Sequence, residues 1–373
     1  MPYTRAVAEN EGELVATGAF RVDAAKALEK LGRYQTPEAQ LFMLPWVRAA
    51  VAGGATRVGM SLAKDGNFMM NFDGQPVRPD LADPTACLFA DAPEPRLKQF
   101  AVGILAALRL DPQEVTLASG RGSERRCLKI GPGGTTLEKV ESETEDTILW
   151  VLFRQDRLAE DWTRRVFQAC RASPVPIRAG DSDLEPFDAK DAVGAMIQEQ
   201  GRRIWLEPAE LDSATIEVFQ HGVYVCGLEW PGNALMPADG FLDDPALELN
   251  ASQTGVVRNR SRSLAVAAVA KGADALVAAV AAGQGARLAG LQARLADKRW
   301  RQAWRERVAG RSDSWPGRPG DDREALEEGA RFTRWLKRVA ESANGPRLSP
   351  DARSALAAAP LDVGDDGAPR APA

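Results

Sequence analysis

The 373-residue chain is poor in the groups that most site chemistry needs. It has one histidine, His221, so a Ser-His-Asp triad or a histidine metal site would rest on that residue alone. His221 precedes Gly222 between two extended runs and reads as a turn residue. Four cysteines, Cys87, Cys127, Cys170 and Cys226, lie far apart with no C-x-x-C pair, which excludes a disulfide framework and a zinc knuckle. They read as buried free thiols of a cytoplasmic protein. No run of 18 apolar residues occurs. The nearest, 264–282, is interrupted by Lys271 and Asp274, and the first residues carry no apolar core of signal-peptide length. With 47 basic and 52 acidic residues the net charge is −5, which lacks the basic excess of a dedicated nucleic-acid binder. There is no internal repeat and no phosphate loop ending in G-K-[ST]. The run Gly131-Pro132-Gly133-Gly134-Thr135 falls between two expected strands and reads as a hairpin turn. Arg121, Arg125 and Arg126, around Gly120 and Gly122, read as a solvated turn.

What is present is an ordinary globular composition, 45% hydrophobic and 27% charged, long enough for two or three domains. Helical spacing is expected over 23–31, with Asp23 as N-cap, and over 38–52, which is apolar nearly all round and ends at Gly53-Gly54. Residues 57–63 and 67–72 read as a hairpin, 77–96 as a long loop, and 97–108 as a helix. Strands are expected at 115–118, 126–130 and 135–140. The acidic bridge 141–146 reads as a domain boundary, followed by a strand from 147 and a helix over 161–172 with Val166, Phe167 and Cys170 on one face. Further strands fall at 175–178, 203–206, 214–219 and 223–228, and an Ala/Val-rich helix at 264–282. The expected division is 1–140, 146–283, a helical extension over 286–343, and a tail over 344–373 with the composition of a disordered segment.

Three stretches carry a resemblance. Phe20 to Gly54, FRVDAAKALEKLGRYQTPEAQLFMLPWVRAAVAGG, continues into Ala52-Gly53-Gly54-Ala55-Thr56-Arg57. Lys98-Gln99-Phe100-Ala101-Val102-Gly103-Ile104-Leu105-Ala106-Ala107-Leu108 precedes a strand ending in Ser119. Asp243-Asp244-Pro245-Ala246-Leu247-Glu248-Leu249-Asn250-Ala251-Ser252-Gln253 lies further on. In this order they resemble the GHKL ATPase superfamily, and within it the ninety-kilodalton heat-shock chaperones. The resemblance implies an α+β chain: a Bergerat-type α/β sandwich, then an α+β middle domain of ribosomal-protein-like fold, then a helical extension.

The resemblance also implies an adenine-nucleotide site, and this chain departs from it at each chemical position. The water-activating Glu corresponds to Pro45, which has no acceptor. The magnesium-binding Asn corresponds to Ala49, which offers no oxygen. The arginine that the middle-domain loop sends to the γ-phosphate corresponds to Gln253. Asp73-Gly74 keeps half of the adenine box, and of the lid glycines Gly103 remains. The site therefore reads as eroded. No cofactor is expected, and Asp73, Gly74 and Gly103 are the residues left to hold ATP or ADP with magnesium. The alternative is a divergent ATPase drawing on Glu38, Asp73 or Arg258.

One more segment stands out: Lys298-Arg299-Trp300-Arg301-Gln302-Ala303-Trp304-Arg305-Glu306-Arg307. Trp300 and Trp304 share a helix face, with Arg301 and Arg305 beside them. Packing of both tryptophans onto the middle domain is the leading reading, and a partner surface, where aromatic and Arg residues are enriched, is the second. Phe332, Trp335 and Leu336 form a second apolar face expected to pair with the first. The expected role is that of a scaffold, adaptor or chaperone-like module binding another protein, an acidic one given these arginines. A membrane is not expected, nucleic acid is the minor alternative, and a homodimer stays open.

Overall fold

The computed structural model describes residues 38–84, 87, 94–154, 158–189, 194–209, 215–228, 238–292, 331–332, 334–335, 338–339 and 350–358. The expected helix at 23–31 and the tryptophan segment 298–307 lie outside the described residues.

Pro45 decides where the first helix begins. A proline ring has no N–H and clashes with the carbonyl four residues back, so 38–52 is not the single helix expected. It divides into a 3-10 turn, Ala39–Leu41, and α1, Met43–Ala52. Pro45 then lies in the first turn of α1, where its missing N–H has no intrahelical bond to lose. Strands β1, Val58–Leu62, and β2, Phe68–Phe72, form the expected antiparallel hairpin. The loop that follows contains a short 3-10 turn, Pro79–Ala82. Helix α2, Pro95–Leu108, starts two residues earlier than expected, with Pro95 in the first-turn position that proline favours. Strands β3, Glu114–Ser119, β4, Arg126–Gly131, and β5, Gly134–Lys139, follow as antiparallel neighbours, with Pro132-Gly133 as the hairpin turn.

The acidic bridge is not a domain boundary. The next strand, β6, Thr147–Leu152, lies inside the first sheet between β3 and β2, antiparallel to both. Its alternation turns Leu149 and Val151 into the same core as Met70 and Leu117. Helix α3, Trp162–Ala169, then leads to β7, Ile177–Ala179, parallel to β1, and β8, Ser182–Leu184. The sheet is eight-stranded, in the order β5-β4-β3-β6-β2-β1-β7-β8. Residues 141–146 are a surface connection within it, and their charge marks exposure.

A second sheet holds β9, Ala195–Glu199, β10, Arg202–Pro208, β11, Thr215–Gln220, β12, Val223–Leu228, and β13, Ala238–Asp243, in the order β12-β11-β13-β10-β9. Helix α4, Arg260–Gln292, lays Val269, Leu276, Val277 and Val280 against Ile204, Leu206 and Val218 of this sheet. By length and composition Arg260–Ala281 could cross a membrane, but half of its apolar window is buried, as in a core helix. Phe332 and Trp335 are fully buried in the same core. Helix α5, Pro350–Ala358, stands in the stretch expected to be disordered, with Ala352 in that core. The composition of this stretch shows no contact to come, whereas here Ala352 is buried against the second core. The chain is thus α+β, with helices laid on two mixed sheets, and Val223 of the second sheet is built into the first core.

Candidate functional site

The positions that the resemblance marks for a nucleotide are packed with side chains. Trp46 of α1 is fully buried and donates its indole N–H to the Phe100 carbonyl of α2 at 3.2 Å. A Cβ added at Gly103 would collide with the Trp46 indole. Gly103 therefore lets two helices approach, and its bare backbone faces a tryptophan. Phe72 stacks on Phe100 at 6.2 Å between ring centroids, closing the space from the sheet side. Ala49 is fully buried, and its carbonyl accepts from Arg96 Nε at 3.0 Å. The same guanidinium donates to the Gln75 carbonyl at 2.5 Å and fills the room beside Gly53.

Asp73 is engaged by its own chain. Its carboxylate accepts from Thr56 N at 2.7 Å, Thr56 Oγ1 at 2.5 Å and Arg57 N at 3.1 Å, and pairs with the Arg57 guanidinium at 3.3 Å. Gly74, at φ +96, allows this clasp, since a Cβ there would come within 2.8 Å of Ala55 N. Partial burial acts to raise the Asp73 carboxyl, but the bonds from Thr56 and Arg57 and the Arg57 charge outweigh it. It titrates below the ordinary 3.8. A carboxylate depressed in the folded state contributes stability that is complete above the unfolded value and lost as pH falls through the folded one. Asp73→Asn should therefore destabilise the protein by about 1 kcal/mol at neutral pH, given the partial exposure of the cluster. The difference from the parent should vanish in melts run well below pH 3.8. An unchanged difference there would assign the effect to something other than the charge.

The remaining marked positions meet elsewhere. Pro45 and Gln253 line one cavity of about 230 Å³ between α1 and the loop after β13, together with Glu38, Leu44, Arg48 and Val225. Asn250 shapes that loop, its side chain accepting from Thr254 N at 3.1 Å and Ser252 Oγ at 3.1 Å. Gln253, in the left-handed region at φ 56, is thereby turned toward α1. Arg48 donates to Gln253 Oε1 at 2.5 Å and to the Tyr224 carbonyl at 2.9 Å. In the family pattern the loop supplies the cation; here α1 supplies it and the loop supplies the acceptor. Burial pulls the Arg48 guanidinium down to about 10, against the opposing pull of Cys170 and Asp243. Arg48 is not a candidate on sequence grounds, because a lone Arg in an apolar helix reads as a surface residue. Cys170 nearby is pushed up to about 12 by burial and is an inert thiol.

Of the alternative residues, Glu38 is ion-paired with Arg165, and Arg258 is exposed. Trp300, Trp304, Arg301 and Arg305 lie outside the described residues. Arg125, expected in a solvated turn, is buried and donates to the carbonyls of Gly120 at 3.2 Å and Asp146 at 2.8 Å. His221 and Gly222 form the turn between β11 and β12, both at positive φ, as a two-residue hairpin of this kind requires. Among the described residues no group of three or more His, Cys, Asp or Glu side chains is placed to hold a metal.

No protein-family model matches the chain, and no curated protein matches it. Solved structures do align. The B-subunit of the DNA gyrase from Myxococcus xanthus superposes with a TM-score of 0.48 at 11% identity, covering 66% of this chain and 93% of that one. The topoisomerase IV ATP-binding domain of Francisella tularensis, in complex with a small-molecule inhibitor, gives 0.47 at 10% identity, with 66% and 89% covered. The likeness is one of outline. At these scores it carries no chemistry, and the functional reading rests on the residues.

Proposed function

We propose that this protein is a GHKL-type, heat-shock-ninety-like module that has given up ATP turnover and acts in the cytoplasm as a protein-binding scaffold, adaptor or chaperone-like unit. The observation that carries the reading is the direct packing of α1 on α2. Trp46 covers Gly103, and Arg96 covers Ala49, where the family pattern needs room for a nucleotide and its metal. Pro45 and Ala49 offer no side-chain oxygen to water or to a cation. Glu38 and Asp73, the carboxylates an alternative ATPase would need, are held by Arg165 and by Thr56 with Arg57.

Purified protein given ATP and magnesium should release no phosphate above the buffer background, and titration calorimetry should record no binding heat. A steady rate abolished by Glu38→Gln or Asp73→Asn would establish the ATPase reading instead. For partner binding the proposal names Trp300 and Trp304 with Arg301 and Arg305, since buried interface tryptophans typically cost about 2 kcal/mol or more each when truncated. The double change Trp300→Ala, Trp304→Ala should leave the melting temperature in place and remove a co-purifying protein partner, with the association weakened by salt. A collapsed melting temperature would make these tryptophans core residues.

A further inference from the structure

Arg48 is a buried cation without a counter-ion among the described residues. Its side chain is part of a residue only 3% exposed. A guanidinium has five N–H donors, and this one makes two hydrogen bonds, both to neutral acceptors, Gln253 Oε1 and the Tyr224 carbonyl. Its Nε has no partner. The acid that acts on it electrostatically, Asp243, is committed elsewhere: it pairs with Arg203 at 2.5 Å and accepts from Gly222 N at 3.0 Å. Glu38, at the cavity, is paired with Arg165. Buried charges in proteins are ordinarily paired, because desolvation of a lone ion is expensive.

The cavity beside Arg48 has about 230 Å³ of room, walled largely by Leu41, Leu44, Pro45 and Val225, with the Ser252 and Thr254 hydroxyls on the loop side. An apolar cavity of about 150 Å³ is enough for benzene. The space here takes such a ring together with a carboxylate. A single guanidinium, with Glu38 the one acid among the described lining residues, suits one negative charge better than two.

We propose that this cavity binds a small monocarboxylate with an apolar body, about the size of benzoate, its carboxylate on Arg48 and its body against Leu41, Leu44, Pro45 and Val225. The carboxylate supplies the missing counter-ion and takes up donors that Arg48 leaves unused, in the geometry guanidinium and carboxylate favour. Because the walls come from α1 on one side and from β12 and the 249–256 loop on the other, the ligand binds only while these are joined. It therefore stabilises that joint by mass action. This inference is independent of whether ATP is turned over.

The test uses the full chain, with benzoate and hexanoate as probes, benzyl alcohol as a neutral counterpart of benzoate, and inorganic phosphate as a multiply charged anion. Thermal melts and calorimetry should show binding of the carboxylates, with the melting temperature climbing as their concentration rises, and little response to the other two. Thr254 is exposed at the cavity rim, so Thr254→Trp should block the entrance and abolish the shift, measured against that variant's own unliganded melting temperature. Arg48→Met keeps an unbranched apolar stem and removes the charge. It should weaken benzoate roughly tenfold or more while leaving benzyl alcohol unaffected. The proposal is overturned if benzyl alcohol stabilises as well as benzoate, if neither carboxylate binds at millimolar concentration, or if Thr254→Trp retains the full response. Should Arg48→Met fail to fold, the Thr254→Trp result decides.

Discussion

Trp46→Ala should destabilise the protein by about 3–5 kcal/mol, the range for truncating a buried large aromatic. Trp46 is 0% exposed, meets Phe42 edge-on at 5.2 Å between centroids, and bonds the Phe100 carbonyl across the two helices. Phe42 in turn meets Phe68 edge-on at 5.0 Å, so the loss propagates into the hairpin beneath. Helices α1 and α2 cannot close the gap by sliding, since the sheet side is already filled by Phe72 on Phe100. The variant should melt roughly 10 °C lower. The void it leaves, apolar and larger than a benzene site, should be refilled by free indole with partial recovery of stability. A loss below about 1 kcal/mol would mean that the two helices repack freely, and would remove the main support for a closed nucleotide position.

Arg48→Ala should come next, with a loss of about 2–5 kcal/mol. The change leaves the Gln253 and Tyr224 acceptors without their donor in a buried setting, at about 1–3 kcal/mol each. Part of that loss is returned because a desolvated charge is also removed. The folded-state guanidinium is depressed to about 10 from an ordinary 12.5, so its burial costs stability at every pH below that and the cost is relieved only as pH climbs through it. Arg48→Lys should recover little, because an ammonium cannot reach two divergent acceptors as the planar fork does. Urea melts of the three proteins decide the matter. Equal stability of Arg48→Ala and the parent would mean that the joint between α1 and the second sheet does not depend on this residue.

Most of the secondary structure was legible because period and punctuation agreed. The hairpin of β1 and β2, the strand pair around Pro132-Gly133, the turn at His221-Gly222 and the long Ala/Val helix all follow from alternation, helical spacing or turn chemistry. What the sequence hid was partnership. Nothing local in Thr147–Leu152 says that it pairs with β2 and β3, and the acidic residues before it read equally well as a linker. The short β8, with a single apolar residue in Ser182–Leu184, and β13, interrupted by Asp239 and Gly240, are held as strands by their neighbours rather than by propensity. At the candidate site the residue types at Pro45, Ala49 and Gln253 could be read from the chain. The substitution of Trp46 and Arg96 for open space could not, since both are ordinary residues whose role is set by what stands across from them.

The position of β6 has a consequence for how the polypeptide emerges and can be cut. The strand at the middle of the larger sheet is synthesised after both of its neighbours, so that sheet has a gap at its centre until residue 152 has been made, and its far edge waits for residue 184. A fragment ending at the acidic bridge would expose the flanks of β2 and β3 as two unpaired ladders of apolar strands, a state prone to self-association. Fragments ending after 184 keep the ladder whole, but lose the sheet against which Val223 closes the first core. Neither half is a natural stopping point, and a soluble recombinant piece is expected only when the chain runs on through α5, since Phe332, Trp335 and Ala352 belong to the second core.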